Sequence, residues 1–137
     1  MRRRLDLRAA AALLAEGEPT MAEIAAGLGV AKPTLYKLAG SRDALVRTCL
    51  ETEAERLLGH LHARAGRADL GDVRAAVEAF AADSPGGFAL LFEGTVSDVR
   101  RRLELRLADL AGCSAVDAAA LLGGAAAAVS RARADAA

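Results

Sequence analysis

The sequence contains very few aromatic residues. It has no tryptophan, one tyrosine and three phenylalanines in 137 residues, so aromatic side chains make up only 3% of the chain. Runs of β-branched residues are also absent, which argues against a protein built on β-sheets. Hydrophobic residues nevertheless amount to 53%, with abundant alanine, and this favours helices that approach one another closely. The composition therefore predicts an all-α protein.

Disulfides, membrane spans and catalytic sites find no support in the sequence either. Cys49 and Cys113 lie far apart in helical surroundings, so we expect reduced core thiols in a cytoplasmic protein, with a thiol sensor as the alternative. No segment approaches the roughly 18 uninterrupted apolar residues that span a bilayer, so no membrane partner is expected. Because no Ser-His-Asp set, phosphate-binding glycine loop or buried carboxylate pair is recognisable, we expect no enzyme, cofactor or metal.

Charge is distributed unevenly along the chain. The formal net charge is 0, which argues against a protein that coats nucleic acid without specificity. Residues 1–50 hold 8 Lys or Arg against 5 Asp or Glu, a balance of +3. Residues 51–137 hold 10 against 13, a balance of −3. The N-terminal part is therefore the basic part, and it also holds the most informative motif.

That motif occupies residues 20–45 and begins with a helix start signal. Thr20 and Glu23 stand three residues apart, as in a capping box in which each side chain accepts a hydrogen bond from the other residue's N–H. Apolar residues then recur at helical spacing as far as Gly29, where a positive φ is accessible at little cost. The spacing predicts a short helix that ends at Gly29.

A second short helix should follow at once. Val30 is expected to fill the angle between the two helices, and Pro33 fits in the first turn of the second one. Leu35 and Leu38 are available for the core. Gly40 should end this helix, and the next one should begin after Ser41 as its cap.

In this order and spacing, the motifs resemble the N-terminal domain of the TetR-type (tetracycline-repressor-like) bacterial transcriptional regulators, over roughly residues 5–50. Two positions depart from the family pattern. Ala31 stands where a serine cap is frequent, and Ala39 where an aromatic core residue is usual; both changes reduce the expected stability of this domain. The residues that carry the resemblance are Thr20, Glu23, Ile24, Ala25, Gly29, Val30, Thr34, Leu35, Tyr36 and the run from Gly40 to Leu45.

Three residues of the second helix are candidates for contacts with DNA bases. The only two lysines of the protein, Lys32 and Lys37, both lie in this helix. Lysine can donate to O6 or N7 of guanine, and Thr34 can contact a thymine methyl group. The alternative for each lysine is a solvated surface charge.

Three further residues are candidates for phosphate contacts. The resemblance implies such roles for Tyr36 and Arg42, and Thr20 lies at a helix N-terminus, where backbone N–H groups can face a phosphate. Local packing of Tyr36 and a capping role alone for Thr20 are the alternatives. Residues 2–4 are all arginine and form either an arm that reaches DNA or a disordered basic tail.

The rest of the chain has helical periodicity but fewer functional signals. Helix 4 should start after Ser41 and run to about Arg64, before a break over residues 65–72. Since His60 and His62 point to different sides of a helix, they are not expected to share a metal. Further segments are predicted at residues 72–82, 85–92 (short and turn-rich), 97–110 and from 114 onward.

The resemblance also implies a small-molecule inducer and a homodimer. The candidate pocket residues are His60, Phe80, Phe88 and Phe92, with a surface position for the histidine and core packing for the rings as the alternatives. Two glycines inside a helix each cost up to about 1 kcal/mol relative to alanine, so a neighbour is expected against the last helix. The candidate dimer-interface residues are Leu121, Gly124, Ala125 and Ala128.

Together these observations predict an all-α regulator. A three-helix helix-turn-helix DNA-binding domain, residues 1–47, is joined by a long helix 4 to a shortened helical ligand-binding and dimerisation domain, residues 48–137. The resemblance implies a ligand-responsive repressor that binds a palindromic double-stranded DNA operator as a homodimer. The alternative is a truncated helical module that pairs with another regulator and has no operator of its own.

Overall fold

The computed structural model describes residues 5–63, 70–93 and 98–136. All regular secondary structure in these ranges is helical, which confirms the all-α prediction. The arginines at 2–4 and most of the predicted break at 65–72 lie outside the described residues. The helices are α1 Leu7–Ala15, α2 Met21–Leu28, α3 Lys32–Ala39, α4 Arg42–Ala63, α5 Leu70–Asp83, α6 Pro85–Phe88 with a π-helical turn Ala89–Glu93, α7 Asp98–Ala111 and α8 Ala115–Ala136.

Short polar side chains fix where several of these helices begin. The Asp6 carboxylate accepts a hydrogen bond from the Ala9 N–H at 3.0 Å and so begins α1. Ser41 accepts from the Ala44 N–H at 3.1 Å at the start of α4, as predicted. Ser114 accepts from the N–H of Asp117, also at 3.1 Å, at the start of α8. Each bond satisfies a backbone donor that has no partner inside its own helix.

The apolar side chains form two cores that α4 connects. The N-terminal core lies among α1, α2, α3 and the first turns of α4. The C-terminal core lies among the rest of α4, α5, α6, α7 and α8. Along α4, Cys49 belongs to the first core and Ala54 to the second, while the predicted domain boundary at 47/48 stays a prediction. The N-terminal core consists of Ala10, Ala11, Leu14, Met21, Ile24, Ala25, Leu35, Leu45 and Cys49.

Helix α6 lies between the two cores and touches both. A Cβ placed on Gly86 would lie 2.6 Å from Cα of Ala12 in α1, so only glycine allows this approach. A Cβ on the adjacent Gly87 would collide with the carboxylate of Glu53 in α4. That carboxylate is fully buried and accepts a hydrogen bond from the Ser84 hydroxyl at 2.9 Å. The short α6 thus contacts both α1 and α4, at two glycines whose lack of a side chain allows the close approach.

Helix α8 covers the C-terminal domain by packing against α5 and α7. Its inward face supplies Leu122 and Val129 to the C-terminal core, where both are nearly inaccessible. By length and composition alone α8 could also cross a membrane, with a mean hydropathy of 1.3 over its most apolar 18 residues. Only 28% of that window is buried within the chain. A large apolar area of α8 therefore remains on the surface.

Candidate DNA-binding surface

The turn between α2 and α3 is built by local hydrogen bonds. Thr20 Oγ1 accepts from the Glu23 N–H at 3.2 Å, and Glu23 Oε1 accepts from the Thr20 N–H at 3.1 Å, which is the predicted capping box. Gly29 ends α2 with φ of 70°, a left-handed conformation that favours glycine. The N–H of Val30 donates to the Ala25 carbonyl at 3.0 Å, and its side chain packs against the N-terminal core. This turn fixes the direction in which α3 leaves α2.

Helix α3 begins without a side-chain cap. Ala31 occupies the cap position in an extended conformation and makes no side-chain hydrogen bond. Pro33 lies in the first turn, where it has no N–H to leave unsatisfied. The first turn of α3 is therefore held by tertiary packing, chiefly by Leu35, whose side chain is fully buried.

The exposed side chains of α3 form three short ridges. Lys32 and Tyr36 are four residues apart on one side, and both are exposed. Pro33 and Lys37 form the next ridge and lie opposite the buried Leu35. The structure thus leaves both lysines accessible, but on different ridges. A ligand that contacts both would have to wrap around the N-terminal half of the helix.

The third ridge contains Thr34 and Leu38, and it corrects one expectation. Leu38 was expected to be available for the core, but its side chain is 39% exposed. Leu35 and Ala39, which are four residues apart, form the inward side of α3, and Leu38 lies outside it. Thr34 is half-buried beside Leu38. Leu38 therefore belongs to the outward surface of the helix.

Sequence reasoning missed Pro33 and Leu38 as surface residues of α3. Both present apolar atoms next to the candidate base-contacting residues Thr34 and Lys37. Apolar side chains in a major groove can contact the methyl group of thymine. The signal was available in the sequence, because Pro33 stands four residues before Lys37 and must share its side of the helix.

Arg42 and Thr20 lie at neighbouring helix starts. The guanidinium Nε of Arg42 donates to the Pro19 carbonyl at 3.0 Å, which ties the start of α4 to the loop before α2. The remaining guanidinium N–H groups are on a half-buried side chain. Thr20 is exposed while it caps α2. The geometry gives each residue a structural role and leaves a phosphate contact as a prediction.

A buried thiol lies in the N-terminal core. Cys49 in α4 is fully buried and its Sγ donates to the Leu7 carbonyl of α1 at 3.8 Å. Burial, together with the nearby negative charge of Glu53, raises the pKa of the Cys49 thiol to about 11. The residue therefore acts as a small neutral core side chain that joins α1 to α4.

The four candidate pocket residues lie together in the C-terminal domain. Phe80 and Phe88 are fully buried in its core. Phe92 is half-buried, with its ring centroid 5.3 Å from that of Phe88. His60 packs edge-on against Phe80 at 6.3 Å, and its Nε2 lies 3.7 Å from the carboxylate of Asp83. Their role as an inducer pocket stays a prediction.

The C-terminal domain also contains a groove, and none of these four residues lines it. It has a volume of about 460 Å³ and runs between α4 and α7. Two ion pairs cross it, Arg102 to Glu51 at 3.4 Å and Arg106 to Glu55 at 3.8 Å. Leu58 and Leu103 are among the apolar residues of its floor.

The four candidate dimer residues differ in accessibility. Gly124 is exposed, whereas Leu121 and Ala128 are half-buried. Ala125 is only 1% exposed because it packs within the C-terminal core of its own chain. Its side chain is thus buried in the single chain, and a role for Ala125 in a dimer interface stays a prediction. It faces inward because it follows Leu122 by three residues on the same side of α8.

The comparisons with known proteins agree with this geometry. Residues 7–49 match the family model described as bacterial regulatory proteins, tetR family. The match takes in α1, α2, α3 and the first turns of α4, and so contains the whole N-terminal core. Comparisons with curated proteins and with solved structures gave no match. The family resemblance inferred from the sequence is therefore confirmed over residues 7–49, which are similar to the DNA-binding domain of tetR-family transcriptional regulators.

Proposed function

We propose that the protein is a repressor that binds a palindromic double-stranded DNA operator as a homodimer. The observation that carries this proposal is the exposed surface of α3, where Lys37, Pro33 and Thr34 lie on adjacent ridges. A helix with this outward surface can enter a major groove, while Lys32 and Tyr36 lie on the ridge nearer to one phosphate backbone. Two such helices related by two-fold symmetry would read the two halves of a palindrome.

The remaining parts of the proposal concern phosphate contacts, ligand response and location. Thr20 and Arg42 stand at adjacent helix starts, where a phosphate can accept hydrogen bonds. The groove between α4 and α7 has the volume of a small-molecule site, about 300 to 1,000 Å³, and supports binding of an inducer there. Reduced thiols at Cys49 and Cys113 are consistent with a cytoplasmic protein.

The competing function is a helical module that pairs with another regulator and has lost its operator. The apolar surface of α8 is compatible with either function. The exposure of both lysines on α3 favours the DNA-binding repressor, because a module without an operator has no use for this pattern.

The test begins with selection of preferred sequences from a pool of random duplexes at one fixed salt concentration. Lys37→Ala should then lower the ratio of specific to non-specific affinity by about 5-fold to 150-fold, since a base contact is worth about 1 to 3 kcal/mol. Arg42→Ala should weaken binding to all sequences similarly and reduce the salt dependence by about one phosphate contact. Competition binding over a salt series measures both quantities.

The matched control is Arg74→Ala, which removes an exposed arginine of α5 that pairs with Glu78. This variant should bind like the wild type. Absence of any selected sequence, or unchanged affinity and preference in both Lys37→Ala and Arg42→Ala, would contradict operator binding through α3 and favour the pairing module.

A further inference from the structure

The groove between α4 and α7 has an apolar floor and an apolar rim. Leu58 of α4 and Leu103 of α7 are buried at its bottom, while Leu105 on its rim is 49% exposed. An aliphatic group that enters the groove would lie against these side chains and remove that of Leu105 from water. Burial of apolar surface is favourable roughly in proportion to its area, so this part of the groove suits an aliphatic chain.

A second cavity adjoins the groove at the N-terminal half of α7. It has a volume of about 420 Å³ and shares Arg102 and Leu105 with the groove, so the two spaces meet along one side of α7. Its other described lining residues are Arg47 of α4 together with Asp98 and Arg101 of α7. Most of these side chains are arginines, and we call this cavity the arginine end.

Positive charge is in excess at the arginine end. The carboxylate of Glu51 pairs with two guanidinium groups, that of Arg47 at 3.1 Å and that of Arg102 at 3.4 Å. Asp98 supplies the second carboxylate, and Arg101 makes no ion pair within the part of the chain that the structure describes. Three guanidinium groups thus face two carboxylates. Because exposed ion pairs contribute little to stability, an incoming anion can displace Glu51 from either of its arginines.

The other end of the groove has the opposite charge balance. Glu55 pairs with Arg106 at 3.8 Å, and the exposed Asp109 also lines this end, so two carboxylates face one guanidinium group. Arg101 and Asp109 are eight residues apart, which is about 12 Å along α7. A molecule of this length would meet positive charge at one end and negative charge at the other. The groove therefore suits one anionic group, but not a second one at the far end.

We propose that the groove binds an elongated aliphatic molecule with a single anionic head group, a carboxylate or a phosphate. The head lies among Arg47, Arg101 and Arg102, since guanidinium groups can donate paired hydrogen bonds to the oxygens of such groups. The aliphatic chain follows α7 over Leu105 and Leu103. A molecule of this class would be the inducer of the proposed function, on which this assignment rests.

Titration calorimetry of the full chain tests the head group. Decanoate and decyl phosphate carry the two proposed heads, and decyltrimethylammonium carries the same tail with a positive head; all are used below their critical micelle concentrations. At least one of the two anions should bind with saturation, and the tighter one identifies the preferred head. Decyltrimethylammonium should bind at least about tenfold more weakly, because its head meets like charge. Decanedioate should bind more weakly than decanoate, because its second carboxylate approaches Asp109.

Variants test the placement of the head and the tail. Arg101→Ala should weaken binding of the preferred anion by about fivefold, the upper range for an exposed ion pair, whereas Arg101→Lys should retain most of the affinity. Leu105→Ser should weaken binding of the same anion but leave the preference for an anionic head unchanged. The matched control is Arg131→Ala, which removes an exposed arginine of α8 and should bind like the wild type. Circular dichroism must show equal helix content in all variants.

Several results would overturn the proposal. Absence of saturable binding by both anions would do so, and so would equal affinity for decyltrimethylammonium or an unchanged affinity in Arg101→Ala. A hexaglutamate peptide that binds more tightly than either anion would assign the arginine end to an acidic protein partner. Weaker binding of Arg101→Ala to DNA of every sequence, with unchanged affinity for the anion, would assign Arg101 to a DNA phosphate.

The outcome is separable from that of the proposed function. Altered operator preference in Lys37→Ala, without binding of decanoate or decyl phosphate, would reject this ligand class and keep operator binding. Binding of the anion that depends on Arg101, without any selected DNA sequence, would keep the site and reject the operator.

Discussion

The N-terminal and C-terminal cores differ in their content of aromatic rings. The N-terminal core contains alanine, leucine, isoleucine, methionine and Cys49, with no aromatic ring among its described residues. The C-terminal core also contains alanines, with many leucines and valines, but adds the fully buried rings of Phe80 and Phe88. Large rings bury more apolar area per residue than alanine does. Of the two domains, the one that carries the DNA-binding surface therefore has the weaker hydrophobic core.

This difference implies that the N-terminal domain depends on the C-terminal domain for stability. Helix α1 contributes Ala10 and Ala11 to the N-terminal core, while its Ala12 lies against Gly86 of α6. Helix α1 thus also contacts the C-terminal domain at Ala12, although Ala12 itself remains exposed. Arg8 of α1 also pairs with Asp83 of α5 at 3.4 Å, although an exposed pair such as this contributes little. We expect the two domains to unfold together.

The largest effect is expected from Phe80→Ala in the C-terminal core. Removing a buried phenylalanine ring costs about 3 to 5 kcal/mol. Since α1 of the N-terminal domain packs against α6 of the C-terminal domain, the unfolding midpoint of the N-terminal domain should shift to lower urea concentration as well. Tyr36 is the only tyrosine and the chain has no tryptophan, so tyrosine fluorescence reports the N-terminal domain and circular dichroism reports the whole chain. A tyrosine transition that stays at its wild-type midpoint would show that the N-terminal domain is independent.

A smaller effect is expected where the two domains touch. Gly86→Ala places a methyl group against the backbone of Ala12, and overpacking of this kind costs about 1 to 3 kcal/mol. The matched control is Gly59→Ala in α4, where no described atom lies within 4 Å of the added Cβ. It should stabilise the protein by about 0.5 to 1 kcal/mol, as alanine does within a helix. Urea denaturation of both variants gives the difference, and equal midpoints would contradict the close contact of α6 with α1.

The sequence could predict features that depend on neighbouring residues in the chain, but not those that depend on contacts between helices. The start of α2 and its end at Gly29, and the starts of α4 and α8, depend on residues within one turn of each other, and the sequence predicted each of them. The exposure of Leu38 and the burial of Ala125 depend on which neighbouring helix covers each face. That information is tertiary and is not contained in local spacing. The groove between α4 and α7 escaped prediction for the same reason, because its walls come from helices far apart in the chain.

The smallest effect is a difference in labelling rate between the two cysteines, one in each domain. Its measurement leaves the fold unchanged. Cys49 is fully buried in the N-terminal core and its thiol has a pKa raised to about 11, whereas Cys113 is half-buried within the α7–α8 connection. A pKa raised from 9.0 to about 11 reduces the thiolate fraction near pH 8 about a hundredfold, and only the thiolate reacts with iodoacetamide.

Labelling at pH 8 should therefore show one faster thiol, which Cys113→Ser removes, and one much slower thiol, which remains. The rate of the slow thiol should rise about tenfold per pH unit as long as the protein stays folded and the pH is below about 11. Since burial in the N-terminal core is the main cause of the slow rate, Phe80→Ala should accelerate Cys49 labelling if the two domains open together. An unchanged rate in that variant would show that the N-terminal core stays closed when the C-terminal core is weakened.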